Sequence, residues 1–471
     1  MKGMRTGTEK LGTTGLENVT VRRHRESSAG GHPSQVLLRL SLSLGILAGF
    51  SLGLILLLTQ ETGSASVLPW TALTQIHGQI QIVGFAGLFI LGTAAQLLPG
   101  FLSSPIENRT RIVTGGALVA IGLLLRATFQ ISEPSVLRSA TLGISALGEF
   151  IGVALCLWEY GQLARRSIQP RDQWQMIVAA GFGFLLLSLV LNGVAVTTLI
   201  RGSKVVPWNL DAAIVQLELW GFIVCMVFGV SRKILPRFLL LPAPNNHGLG
   251  LSVLSYVVGV VLVASGWLSL AVSLAPPIGS DLQSAGALLQ MAGVVAVVWN
   301  LRLFYRPTRP SSAPAVTEPF RRWVIIAFGW LLIANALPAI WAVRVSLGGI
   351  EPSFFEITAE RHALAQGFLL SIIVAYGARI LPGYSAWAIR HSRLSEVTFA
   401  CVTIGALLRV IGELGTGSAL PFAAIAAAGG GTVGTIGFLL FSIPLLVVDP
   451  RPAPLAKVRP SEKDKSENRP G

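Results

Sequence analysis

The sequence predicts an all-α, polytopic membrane bundle of about twelve transmembrane helices arranged as three repeats of four. Three observations predict it. The chain is 52% hydrophobic and only 12% charged, a balance that suits a protein dissolved in lipid. Apolar runs close to the ~20 residues needed to cross a bilayer recur twelve times along it. A short motif returns three times with fixed internal spacing, as an internal repeat does.

The spans fall at about 36–59, 75–99, 112–132, 138–163, 176–200, 211–235, 250–274, 282–304, 322–346, 359–382, 395–415 and 421–447. Residues 35–448 therefore form one transmembrane domain. Residues 1–34 are rich in Gly, Ser and Thr, and residues 449–471 in Pro, Lys and Glu. Both ends are too polar to build a core and are expected to be disordered tails. The first apolar run starts too late and runs too long for a cleavable signal peptide. Pro99, Pro134, Pro236, Pro276 and Pro382 fall at span ends, where a missing amide donor does little harm.

Orientation follows from lysine and arginine. One set of loops holds Arg109, Arg111, Arg165, Arg166, Arg171, Arg232, Lys233, Arg237, Arg306, Arg309, Arg321, Arg322, Arg390 and Arg393. The alternate loops hold only Arg138, Arg201, Lys204, Arg344 and Arg361, mixed with acidic residues. The positive-inside rule then puts both termini in the cytoplasm of a bacterial-type inner membrane. The net charge of +14 is spread over alternate loops and forms no single patch, which argues against nucleic acid as a partner. The partner that composition demands is the lipid bilayer. Cys156, Cys225 and Cys401 fall in separate spans, form no CxxC, and read as small apolar core residues.

The repeat is anchored by Gly-Phe followed fifteen residues later by Pro. In span two, His77-Gly78-Gln79-Ile80-Gln81 leads to Gly84-Phe85 and then Pro99. In span six, Gln216 and Glu218 lead to Gly221-Phe222 and Pro236. In span ten, His362 leads to Gly367-Phe368 and Pro382-Gly383-Tyr384. Glu149, Gly152 and Trp158 of span four match Gln290, Gly293 and Trp299 of span eight, and Leu124-Leu125-Arg126 matches Leu407-Leu408-Arg409.

Polar groups inside the membrane are costly and are functional candidates by default. His77 and His362 are the histidines inside apolar spans. Arg126 and Arg409 end the neighbouring spans at about the same depth, so four expensive side chains share one layer. Two neutral imidazoles can hold a haem iron axially, and arginine suits the haem propionates. Gln81 and Gln366 each sit four residues after a histidine and can line the same pocket. Gly84 sits seven residues after His77, on the same face of a regular helix, where it would leave room for a flat ring. Plainer readings stand beside this one. A histidine in a first turn can meet interfacial water, Arg409 can pair with Glu413, and Arg126 can snorkel. Glu218 can relay protons or simply hydrogen-bond within the bundle.

These residues resemble a family. Three four-helix arcs, with His-Gly opening helix two and a histidine opening helix ten, look like haem–copper oxidase subunit I. The resemblance is closer to its divergent relatives, the NnrS-type haem–copper membrane proteins. It rests on His77-Gly78-Gln79…Gly84-Phe85 and on His362-Ala363-Leu364…Gly367, and spans nearly all of 36–447. It implies a b-type haem with His77 and His362 as metal ligands. It also implies an electron donor or nitric oxide as partner, and a role in handling nitric oxide or related redox stress. The chain departs from the family where Gln79 replaces the second histidine of His-x-His. Glu360 stands where an oxidase has its high-spin haem ligand. Helices six and seven lack the histidines that would hold copper, so terminal oxidase or nitric oxide reductase activity is not expected. A haem-free secondary transporter and an oxidase-derived scaffold remain the rival readings.

Overall fold

The computed structural model describes residues 32–61, 69–242, 244, 246–272, 276–308, 314–380, 392–418 and 420–447. The tails at 1–31 and 448–471, and the Pro382-Gly383-Tyr384 motif, lie outside the described residues. Among the described residues, twelve helices are long and apolar enough to cross a membrane. They are α1 (Pro33–Thr59), α2 (Trp70–Leu102), α3 (Arg109–Phe129), α4 (Val136–Arg165), α5 (Gln173–Ile200) and α6 (Trp208–Phe238). The second half holds α7 (His247–Ala271), α8 (Pro277–Asn300), α9 (Glu318–Gly348), α10 (Phe354–Ile380), α11 (Arg393–Gly417) and α12 (Ala423–Val447).

Each expected span is present, with its ends shifted by up to five residues, and side chains cap the starts of α3, α4, α5 and α10. Asp172 and Ser353 close capping boxes at the starts of α5 and α10, which satisfies amide groups that lipid cannot. Two details differ from expectation. Helix α1 begins at Pro33, inside the stretch assigned to the tail. Pro99 and Pro236 sit within the last turns of α2 and α6. The helix carries on past each of them for about one turn.

The repeat is visible in the packing. In each unit the first helix lies along the second, and the third and fourth form a hairpin: α1 with α2 and α3 with α4, then α5 with α6 and α7 with α8, then α9 with α10 and α11 with α12. Contacts of α4 with α5, α8 with α9 and α12 with α1 close the ring. The second helix of each unit lies inside. The central windows of α2, α6 and α10 are 78%, 94% and 78% buried, against at most 50% for the others. The hairpins share one device. A Cβ on Gly152 would stand 2.5 Å from the Gly115 carbonyl, on Gly293 2.5 Å from the Tyr256 amide, and on Gly412 2.3 Å from the Ala427 amide. Glycine is what lets these backbones touch, the usual glue between helices in lipid.

The inner helices also share a backbone distortion. Ile80–Gly87, Gln216–Ile223 and Ala363–Leu370 are π-helical, and each holds the Gly-Phe pair of the sequence motif. A π segment widens the turn and shifts every side chain beyond it relative to the helix before it. His77 and His362 lie on regular α-helix just before two of these segments.

Candidate functional site

A cavity of about 530 Å³ opens between α1, α2, α10, α11 and α12, with the start of α6 as its floor. It occupies the half of the bundle opposite the termini. Its size falls in the ~300–1,000 Å³ range of small-molecule and cofactor sites. His77, Gln81, His362, Gln366 and Arg409 all line it. The two imidazoles are close enough to act on each other electrostatically, and Arg409 acts on His77 as well.

Each imidazole is tied back through one nitrogen. His77 Nδ1 lies 2.9 Å from the Gly49 carbonyl. His362 Nδ1 lies 2.9 Å from the Thr358 carbonyl and 3.0 Å from Glu413 Oε2. Carbonyls and carboxylates only accept, so each Nδ1 donates. Nε2 then carries the lone pair, as in a histidine prepared as a metal ligand. The same Glu413 pairs with Arg409, whose Nη2 lies 2.7 Å from Oε1. The expected Arg409–Glu413 pair is thus present, and it reaches on to His362.

Three glycines of α1, spaced by four, receive three residues of α2 with the same spacing. A Cβ on Gly53 would stand 2.7 Å from the His77 ring, on Gly49 2.8 Å from the Gln81 amide, and on Gly45 3.3 Å from Phe85. This stripe lets α1 lie flat on the histidine face of α2. On the other wall Gln366 donates to the Gly430 carbonyl at 3.4 Å. The oxygen Oε1 of Gln81 and Nε of Arg409 are buried without a hydrogen-bond partner.

Two expected site residues are elsewhere. Gly84 does not line the cavity. A Cβ there would stand 3.0 Å from Leu123 and 3.4 Å from Leu44, so the glycine accommodates helix packing. The π segment at 80–87 breaks the seven-residue register that placed Gly84 beneath His77. Arg126, only 2% exposed, also lies outside the cavity. Its Nε donates to Gln130 Oε1 at 3.1 Å and its Nη1 donates to Asn192 on α5. The repeat match between Arg126 and Arg409 holds for depth but not for the direction in which the side chain is used.

The cavity includes residues that sequence reasoning left aside. Arg361 lines it and stacks 5.2 Å above the Trp208 ring. Asp211, near Arg361 in charge terms, lines it too. Arg361 read as a loop charge because it stands at the very start of its expected span, beside the alternate-loop residues. Its neighbour His362 was the one available signal. A second cavity of about 100 Å³ lies between α6, α7, α8, α9 and α10, and is lined by Gln216, Gln290 and Glu360. Glu360 Oε1 accepts from the Trp220 indole at 2.7 Å. Counted back from the Gly-Phe pair, Glu360 holds the register of His77, and Gln216 that of His362. The small cavity is therefore the repeat-related counterpart of the large one.

Fold and site together define a twelve-helix membrane protein with a cofactor-sized cavity flanked by two pre-oriented histidines. The family model described as NnrS protein matches residues 41–451, and the chain belongs to that family. A search of curated proteins finds no match.

Proposed function

We propose that this NnrS-family protein binds a b-type haem between His77 and His362 and serves in the handling of nitric oxide or related redox stress. The observation that carries this reading is the pair of imidazoles lining one 530 Å³ cavity, each tied back through Nδ1. Among the described residues no group of three or more His, Cys, Asp or Glu side chains is arranged for a bare metal ion. Two imidazoles suit a metal whose equatorial positions a macrocycle already fills. The residues present therefore fit the group.

His77 and His362 would hold the iron through Nε2. Arg409 and Arg361 would face the carboxylates, since planar guanidinium groups match them. Bound haem supplies reversible one-electron chemistry and a site for a diatomic ligand. The hydrogen bond from His362 to the Glu413 carboxylate makes that imidazole the more basic ligand. His77, tied only to a carbonyl, is the one better placed to yield to an incoming ligand. The apolar walls from Leu54, Leu57, Leu369 and Leu370 admit a small neutral molecule without a charged path. The basic loops support an inner-membrane location with both termini in the cytoplasm.

The test is clearance of a nitric oxide pulse by cells producing the wild type or the His77→Ala/His362→Ala double variant at equal levels. Faster loss of nitric oxide in the wild type supports the reading, and equal rates contradict it.

A further inference from the structure

Glu218 is fully buried on α6, and among the described residues no cation forms an ion pair with it. Its two oxygens face only Gln79 Nε2, at 3.3 and 3.5 Å. Glu149 on α4, also fully buried, accepts from Asn192 Nδ2 at 3.3 Å and from the Ser145 hydroxyl at 3.4 Å. The two carboxyls act on each other electrostatically, together with Arg126 on α3 and Asp211 at the start of α6. Arg126 spends its bonded N–H groups on Gln130 and Asn192. The remaining neighbours at this level are Tyr256 of α7, donating to the Trp220 carbonyl, and Glu360 of α10, accepting from the Trp220 indole. Glu218 and Glu149 thus share the Arg126 guanidinium, while Asp211 also meets Arg361, in a region where an uncompensated charge is costly.

A second observation points to the missing partner. Gln79 is 3% exposed, and its Oε1 is buried with no hydrogen-bond donor. A carboxylate offers no donor, but a carboxylic acid offers one. If Glu218 carries a proton, its O–H can donate to Gln79 Oε1 once the amide turns. Gln79 also lines the large cavity, two residues from His77. A hydrogen-bonded string runs from Glu149 through Asn192, Arg126 and Gln130 to the Lys204 carbonyl, in the loop opposite the termini.

We propose that Glu218 is a proton-binding site, with Glu149 as its electrostatic partner and Gln79 as its link to the cavity, so that negative charge added in the cavity is matched by a proton on Glu218. The last part rests on the haem reading. One electron from an external one-electron donor takes ferric iron to ferrous. One proton from the aqueous phase adds to a Glu218 carboxylate oxygen and gives the acid. Nothing else is oxidised or reduced.

The test uses purified full-length protein, wild type and the variants Glu218→Gln, Glu149→Gln and Gln79→Leu. Infrared difference spectra across a pH titration report the carboxylic acid carbonyl directly, whether or not haem is present. The expected result is an acid carbonyl band that titrates in the wild type, disappears in Glu218→Gln, titrates at a different pH in Glu149→Gln and changes frequency in Gln79→Leu. A wild type without such a band, or an identical band in Glu218→Gln, overturns the proton site. The second readout is the cofactor's midpoint potential against pH. One proton per electron gives about 59 mV per tenfold change in proton activity. That slope should be present in the wild type and lost in Glu218→Gln. Equal slopes in the two overturn the coupling. Absence of any haem defeats the reading of the cavity, and the infrared result still decides the proton site.

Discussion

Glu413 and His362 are joined by a 3.0 Å contact between carboxylate and imidazole, while the other oxygen of Glu413 lies 2.7 Å from Arg409. One buried carboxylate, 4% exposed, therefore orients a ligand and neutralises a cation. Glu413→Gln keeps the size of the group and removes its charge. Loss of an outer partner of a metal ligand typically costs ~10–100-fold in metal affinity or activity. The variant should hold haem more weakly at His362 and show a higher midpoint potential, because less electron density reaches the iron. Haem titration and potentiometry check both, and an unchanged potential would detach Glu413 from the site.

The two histidines should not be equivalent. His362 has a carboxylate and a carbonyl behind it, whereas His77 has one carbonyl. His77→Ala should leave haem held by His362 in a form that binds carbon monoxide readily. His362→Ala should lose most of the haem. Absorbance spectra with and without carbon monoxide distinguish the pair, and the reverse order would reassign the stronger ligand.

Gly53 lies against the His77 ring. The added Cβ of Gly53→Ala would stand 2.7 Å from Cε1, so ring or helix must shift. Overpacking of this kind costs ~1–3 kcal/mol. A lower melting temperature and a disturbed haem spectrum are expected. Gly78→Ala is the control, since nothing lies within 4 Å of a Cβ there. A normal spectrum in Gly53→Ala would mean that α1 does not position His77.

Arg409 and Arg126 should separate cleanly. Arg409→Leu removes a cavity-lining charge and strands Glu413, so haem retention and potential should change. Arg126→Leu removes the buried partner of Gln130 and Asn192, and breaking a buried charged cluster costs ~3–5 kcal/mol. It should lower thermal stability and leave the wavelength of the haem bands in place. Unfolding curves and spectra of the two variants provide the comparison. A shifted haem spectrum in Arg126→Leu alone would return that residue to the site.

Much of this arrangement was legible before any coordinates. Composition and apolar run length located the twelve spans, because lipid forces every backbone group into helix. The Gly-Phe-to-Pro spacing picked out three repeat-related helices, and the structure puts all three inside. His77, Gln81, His362, Gln366 and Arg409, which line one cavity, were picked out because ionisable groups stand out in apolar sequence and each glutamine follows a histidine by four residues. Gly84 was misplaced because periodicity assumes 3.6 residues per turn, and the π segment at 80–87 breaks that count. Arg126 was misplaced because the repeat fixes depth but not rotation about the helix axis. The pairing of Glu218 with Gln79 joins positions 139 residues apart, beyond any local pattern.

The most direct measurement is the reduced-minus-oxidised absorbance spectrum of the purified wild type with haem quantified per chain. The predicted result is one b-type haem per chain with the sharp bands of a low-spin, six-coordinate iron, and loss of that signature in His77→Ala and in His362→Ala. Protein without haem, or a spectrum identical in the wild type and both variants, would contradict the account.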